Sequence, residues 1–345
     1  MTLRITHVNL ARGFRGGERQ TELLIQALAA HGVTQQLVCR ADSPLRTRLQ
    51  GTPQLSFVTA NHQLMGHWSA DRSDLVHAHE AKAVHWAWLH HCLRSTPYIL
   101  TRRVPQAVKD SGFNRRCYRQ ASMAVAISSP IEQHLQARHW CPVQRIPSAL
   151  AHLQHDPANV ATLRSHYAGA FVIGHAGALV DKHKGQRELI AAARRLQPEM
   201  PDARFLMLGD GADGEALRAE SRDLPNVEWL GFKANLGDYL AMLDLFAFPS
   251  RNEGLGSTLL DVMDYEVPIV ASDVDGIPDL VQHEQTGLLV KPNDAEALAQ
   301  ALLRLYRDAP LRRRLAQQAK AGLAHYTPEA MAERYLALYS QLVAR

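Results

Sequence analysis

Pro249-Ser250-Arg251-Asn252-Glu253-Gly254-Leu255-Gly256-Ser257-Thr258-Leu259-Leu260-Asp261 follows the apolar run Leu245 to Phe248, turns on two glycines and enters a helical segment. The apolar run reads as a buried strand, and Ser257 or Thr258 as the N-cap of a helix reaching about Tyr265. Gly254 and Gly256 remove side chains where a phosphate needs close backbone approach. The N–H groups of Gly256 to Leu259, at the positive end of the helix, are then placed to hold a diphosphate. Glu253 stays in the loop to accept from sugar hydroxyls, and Asp261, one turn into the helix, to accept from a ribose. A capped core helix after a tight turn is the competing interpretation of these thirteen residues.

Outward from this stretch, apolar strands alternate with amphipathic helices, the order expected of parallel sheets covered by helices on both faces. The first half offers strands near 5–10, 36–40, 55–59, 75–79, 98–101, 124–127 and 143–146, and the second near 171–174, 205–209, 227–230, 245–248, 269–272 and 288–290. Pro130, Pro142, Pro147 and Pro157 punctuate the middle, which puts a linker between about 150 and 168. At 345 residues, 46% hydrophobic and 6% aromatic, the chain is long for one core and ordinary for two.

Glu253-Gly254-Leu255-Gly256, followed by Val267-Pro268-Ile269-Val270-Ala271-Ser272, Gly276-Ile277-Pro278-Asp279-Leu280-Val281 and Gly287-Leu288-Leu289-Val290, resembles the nucleotide-sugar motif of the retaining glycosyltransferases of family four. That resemblance implies an α/β GT-B fold, two Rossmann-like doubly wound domains facing each other across a cleft. It implies residues 1–160 as the acceptor-binding domain, 161–327 as the nucleotide-sugar domain, and 328–345 as a terminal helix that crosses back to the first. Asp261 departs from the family's second Glu, and Asp273-Val274-Asp275 stands where the family has a glycine turn.

Two further glycine turns match the same family. Gly174-His175-Ala176-Gly177-Ala178-Leu179-Val180-Asp181-Lys182-His183-Lys184-Gly185, between a strand and a helix starting near Gln186, resembles the segment in which an Arg and a Lys clamp the donor diphosphate. Lys184 takes the Lys position; Ala178 takes the Arg position, so one cation is absent or is supplied by Lys182 or His183. A Lys beside a diphosphate gains a charge-assisted bond, which favours Lys184 as a ligand over a solvated turn. Arg12-Gly13-Phe14-Arg15-Gly16-Gly17-Glu18-Arg19 precedes a helix expected at 21–30 and lacks the full dinucleotide fingerprint. It is similar to the family's Gly-Gly-x-Glu loop, implying that Gly16 and Gly17 face the donor phosphates.

On the acceptor side, His77-Ala78-His79-Glu80 closes a strand, and period-two geometry puts His77 and His79 on one face at its C-terminal end. Two histidines without further ligands make no metal site, so no metal is expected. Thr101-Arg102-Arg103-Val104 stands where relatives have a Thr-x-His-like segment, which moves the expected polar active-site group to His79 and leaves Arg102 and Arg103 for an acidic acceptor or donor. A buried structural role competes for His77. Ile146-Pro147-Ser148-Ala149 replaces the family's Ile-Pro-Asn-Gly turn.

Charge divides the chain. Residues 1–165 hold 19 Lys and Arg against 9 Asp and Glu, and 13 of the 18 His; residues 166–345 hold 19 against 25. The positive field belongs to the first half and points to an acidic acceptor or an anionic membrane face. Nucleic acid is disfavoured because the basic residues are not interleaved with aromatics and no binding motif appears. Cysteines 39, 92, 117 and 141 show no ligand spacing, and the chain starts almost directly with a strand, so a reduced cytoplasmic protein without a signal peptide is expected. No apolar run approaches the ~18 residues of a spanning helix, so membrane contact would be peripheral, at the inner membrane.

The resemblance thus implies a retaining enzyme that moves a sugar from a nucleoside-diphosphate sugar, UDP-linked in the first instance, to a glycan or lipid-linked hydroxyl in cell-envelope polysaccharide or lipopolysaccharide synthesis. His79, Lys184 and Glu253 are its candidate catalytic residues. Gly16, Gly17, Lys184, Glu253, Gly254, Leu255, Gly256, Ser257, Thr258 and Asp261 are its donor contacts, Arg102 and Arg103 its acceptor contacts, and no cofactor is required. A non-catalytic sugar-nucleotide-binding scaffold and a GT-B sugar-nucleotide 2-epimerase are the alternatives.

Overall fold

A computed structural model describes residues 3–344 of the chain. They divide into two compact units, one running up to Ala151 and resuming at His325, the other spanning His152–Ala324.

The first unit holds β1 (Arg4–Asn9), β2 (Thr34–Cys39), β3 (Leu55–Thr59), β4 (Leu75–Ala78), β5 (Tyr98–Arg102), β6 (Met123–Ala126) and β7 (Val143–Arg145). They form one parallel sheet in the order β3-β2-β1-β4-β5-β6-β7. Helices on both faces bury the strands, so β4 carries no exposed residue and reads as a continuous apolar run broken only by histidine. The terminal helix Pro328–Val343 starts with Pro at its first position and a Thr327 hydroxyl that accepts from Ala330 N–H at 3.1 Å. Its Met331, Ala332, Tyr335, Leu338 and Tyr339 complete a core with Ile5, Leu24, Leu28, Ile99 and Val125. Each large side chain buried there contributes about 1.5–3 kcal/mol, so the helix is part of this unit's core.

The second unit holds β8 (Phe171–Ala176), β9 (Ala203–Leu208), β10 (Val227–Gly231), β11 (Leu245–Phe248), β12 (Ile269–Ser272) and β13 (Leu288–Val290), parallel and in the order β10-β9-β8-β11-β12-β13. Both units are thus α/β doubly wound sheets, and every strand expected from the apolar pattern is present. In each, the chain winds outward in both directions from a central pair, β1 beside β4 and β8 beside β11. The strand order reverses at each of these pairs, the place beyond the carboxyl ends of the strands where open α/β sheets bind ligands.

Three local expectations are corrected. The helix after β1 spans Gly16–Ala30, so Gly16 and Gly17 form its first turn instead of a preceding loop; the Glu18 carboxylate reaches back to accept from Arg15 N–H at 2.9 Å and nucleates the helix early. Ser257 does occupy the N-cap position of Thr258–Asp264, but its backbone is already helical (φ −56, ψ −22) and its side chain makes no capping hydrogen bond; Gly256, at φ +81, precedes it in the turn. The expected linker contains a helix, Pro157–His166, which belongs with the second unit from His152 onward: Asp156 N–H and the Asn159 amide both donate to Asp238, at 2.7 and 3.2 Å.

Candidate active site

In the second unit the loops after β8 and β11 meet. Lys184 Nζ donates to Glu253 Oε2 at 2.5 Å and lies 5.3 Å from the centre of the Phe248 ring. Both side chains are about four-fifths buried, at 20% and 17% exposed. Gly185 permits the meeting. It has φ +64, and a Cβ there would strike the Pro249 carbonyl, so any side chain would push the Lys184 turn away from the strand that leads into Glu253. His175, on β8 beneath, has Nδ1 3.0 Å from the Ala247 carbonyl and Nε2 3.4 Å from the Gln186 amide. Burial is the main cause that lowers its pKa to about 4, leaving a neutral ring whose Nδ1–H donates to the carbonyl.

Two residues to which the sequence assigned no role hold the pair. Asp275 accepts from Glu253 N–H at 2.9 Å, and the Glu253 carbonyl accepts from Gly276 N–H at 3.3 Å. Asp275 adopts φ +48, the left-handed conformation that a glycine turn would take; its carboxylate holds the backbone that Gly would only permit. Arg251 donates to Asp181 Oδ2 at 3.2 Å and to Glu188 Oε1, while the N–H groups of Arg251 and Asn252 both reach the His183 carbonyl. One guanidinium thereby ties the two loops through two largely buried carboxylates. No spacing rule marks Arg251, because its partners come from a separate loop.

The remaining donor candidates are placed unequally. Gly254, Gly256, Ser257 and Thr258 line the turn beside Glu253, but the Leu255 side chain is 2% exposed and packs inward, which leaves only its backbone for a ligand. The N–H of Leu259 is taken by the Gly256 carbonyl at 2.8 Å, which removes one of the four amides assigned to a diphosphate. Asp261 is buried in the first turn of Thr258–Asp264. Ala178 is exposed and Arg251 is neutralised, so neither restores the missing cation; Lys182 is exposed nearby.

In the first unit a histidine cluster occupies the β1–β4 switch point. His7 sits opposite His77 in the β1–β4 register, and ring nitrogens of His7, His77 and His79 lie within 4.8 Å of one another. His7 was not anticipated, so the pair expected at β4 is a trio. His77 is fully engaged: Nδ1 meets Tyr339 OH at 2.6 Å and Nε2 meets Thr101 Oγ1 at 2.7 Å. His7 Nδ1 meets His79 Nε2 at 2.9 Å. Hydrogen bonds thus account for five of the six ring nitrogens, His7 Nε2 included through Gln35 Oε1 at 3.0 Å. His79 Nδ1 is buried without a hydrogen-bond partner among the described residues. Burial, with the neighbouring His77, His7 and Arg103, holds His79 well below the usual histidine range, so its ring is neutral at physiological pH.

The two arginines offered as acceptor contacts diverge, as consecutive residues leaving a strand do. Arg102 donates to the Gln106 carbonyl at 2.5 Å. Arg103 runs beside Gly17, donates weakly to Ser148 Oγ at 3.4 Å, and keeps Nε and Nη2 buried and unpartnered among the described residues. Gln20 exchanges two 2.7 Å hydrogen bonds with Ala149, which ties the Gly16–Ala30 helix to the Pro147-Ser148-Ala149 turn. His79, Arg103, Ser148 and Gly17 therefore belong to one neighbourhood, and Arg102 to another.

Comparison with known proteins agrees with this architecture. Residues 170–308 match the family described as glycosyl transferases group 1. The chain is 25% identical over 346 residues, 97% of its length and 98% of the other's, to the lipopolysaccharide core biosynthesis glycosyltransferase LpsE of Rhizobium meliloti. It is 29% identical over 162 residues, 46% of its length, to N-acetyl-alpha-D-glucosaminyl L-malate synthase of Bacillus anthracis. That match spans 42% of the relative's length, and the chain likewise spans less than half of several other relatives. Among solved structures, Anabaena HepE in complex with UDP and glucose superposes with a TM-score of 0.84 at 20% identity, covering 98% of this chain and 100% of HepE. The chain has the GT-B fold, and over residues 170–308 it is similar to the glycosyl transferases group 1.

Proposed function

We propose that the protein is a retaining glycosyltransferase that transfers a sugar from a nucleoside-diphosphate sugar, UDP-linked in the first instance, to a hydroxyl of a glycan or lipid-linked acceptor. The observation that carries this proposal is the Lys184–Glu253 pair at the β8–β11 switch point. When the bond from the anomeric carbon to the diphosphate breaks, negative charge grows on the departing oxygen, and a fixed, largely buried ammonium stabilises that charge. Glu253, beside it, accepts from hydroxyls of the same sugar. One lysine can serve both, because an ammonium has three donors and Glu253 takes one. Gly16 and Gly17, at the start of a 15-residue helix, present amides suited to phosphate. Asp261 is assigned to the ribose, and His79 and Arg103 to the reacting sugar and acceptor.

HepE is described in complex with UDP and glucose, which supports a UDP-sugar donor, and LpsE as a lipopolysaccharide core biosynthesis glycosyltransferase, which supports a role in cell-envelope glycan synthesis. No helix among the described residues is long and apolar enough to cross a membrane. The helix Gly112–Arg119 exposes Phe113, Arg115, Arg116 and Arg119, which supports peripheral docking on an anionic surface. No metal or other cofactor enters the proposed chemistry.

A non-catalytic nucleotide-sugar-binding protein is the rival, favoured by Ala178 where a second cation was expected. Thermal shift against a panel of nucleotide sugars, followed by incubation of the hit with candidate acceptors and NMR of the product's anomeric centre, tests both. Transfer with retained configuration supports the proposal; binding without transfer or donor hydrolysis favours the rival.

A further inference from the structure

The unpartnered nitrogen of His79 is the end of a hydrogen-bond chain with only one consistent direction. It begins at the Ile25 carbonyl, which can only accept. Gln35 Nε2 donates to it at 2.9 Å, so the amide oxygen of Gln35 faces the other way, toward His7 Nε2 at 3.0 Å. An amide oxygen also only accepts, so His7 carries its proton on Nε2 and, being neutral, a lone pair on Nδ1. His79 Nε2, 2.9 Å from that lone pair, must then carry a proton and donate it. A neutral imidazole has one N–H, so the lone pair of His79 falls on Nδ1, the atom buried without a partner. Gln35, His7 and His79 are each at most 2% exposed, so water does not compete for these bonds.

We propose that Gln35 and His7 are positioning residues that lock His79 in the Nε2–H tautomer and present Nδ1 as a permanent hydrogen-bond acceptor toward a hydroxyl of a sugar substrate. The second part rests on the assignment of His79 to the reacting sugar made above. Burial keeps all three groups uncharged: it lowers the pKa of His7 to about 4 and that of His79 well below the usual range. The same chain explains the contrast with His77, whose two nitrogens are both taken by hydroxyls that can donate or accept and therefore impose no tautomer. Arg103, with Nε and Nη2 also unpartnered, adds two donors that affect the same ring electrostatically. One acceptor and two donors suit a ligand that offers a hydroxyl proton and an electron-rich oxygen, as a sugar or its phosphate does.

Nitrogen-15 spectra of the full-length, histidine-labelled protein distinguish protonated from unprotonated ring nitrogens, with His79 assigned by its loss in His79→Gln. The expected result is a protonated Nε2 and an unprotonated Nδ1 at His79. A proton on Nδ1, a mixture of tautomers, or zinc retained through desalting and held by these nitrogens overturns the proposal. His7→Phe removes the acceptor and should mix the tautomers and lower kcat/KM roughly tenfold, the worth of about one hydrogen bond, with the Kd for UDP unchanged. His7→Asn, whose side-chain oxygen replaces Nδ1, should restore both tautomer and rate, and equal rates in the two variants overturn the functional role. If the tautomer is as expected but His79→Gln transfers sugar normally, the sugar contact is overturned while the lock stands.

Discussion

Lys184 Nζ donates to Glu253 Oε2 across 2.5 Å, joining residues 69 positions apart whose loops leave neighbouring strands of the second unit. Their charges offset each other, so each holds the other in place, and removing either leaves its partner largely buried and unpaired.

Glu253→Ala should lower kcat/KM by roughly ten- to a hundredfold, the loss expected when a charged group stops accepting from a donor hydroxyl, about 1.5–3 kcal/mol. Steady-state kinetics with circular dichroism check this; unchanged kinetics in the folded variant would remove Glu253 from the site. In parallel, Asp261→Glu should keep donor affinity and Asp261→Ala should weaken it.

Lys184→Ala should raise the Kd of UDP at least about tenfold and leave that of uridine nearly unchanged, because the lysine meets phosphate. Calorimetric titration of both ligands decides. Equal losses would point to collapse of the Gly185 turn instead of a missing phosphate contact.

Arg251→Met should destabilise the second unit by about 2–3 kcal/mol, since it strands Glu188, whose side chain is 13% exposed, and leaves Asp181, 6% exposed, with Arg187 as its one remaining cation. Burial pushes the Asp181 pKa up, but the Arg187 N–H and the Arg187 and Arg251 guanidiniums outweigh it and hold the group below the usual carboxylate range. The variant should therefore also raise the pH at which acid unfolds the protein. Urea melts at several pH values would show it, and an unchanged midpoint would assign the loop contact to backbone bonds alone.

Stability should fall as pH drops from about 6.5 toward 4. Burial, the leading cause in each case, lowers the pKa of His7 and His175 to about 4 and places His77 and His79 well below the usual range. The unfolded chain takes up protons below about 6.5 while the folded chain does not, so acid favours unfolding by up to ~1.4 kcal/mol per pH unit for each such histidine. Denaturant midpoints at pH 7.5, 6.0 and 5.0 should decline in that order; a flat profile would mean that these rings are protonated in the native fold.

Binding to anionic vesicles should exceed binding to neutral ones and weaken as salt rises. Reversing charge at Arg115, Arg116 and Arg119, all exposed on one helix, should abolish the difference in cosedimentation. Equal binding to both vesicles, or to neither, would leave a soluble acceptor.

The strands, both glycine turns of the second unit and the positions of Lys184, Glu253 and His79 follow from local sequence, because apolar runs and glycines act through neighbours in the chain. Tertiary structure alone decided the rest. Asp275 supports Glu253 from 22 positions away, Arg251 reaches Asp181 across 70, and His7 reaches His79 across 72. Each contact exists because parallel sheets place strands distant in sequence side by side, so the identity of the partner is a property of strand order. The direction of the His79 lone pair depends on a backbone carbonyl of a helix, which no side-chain motif records.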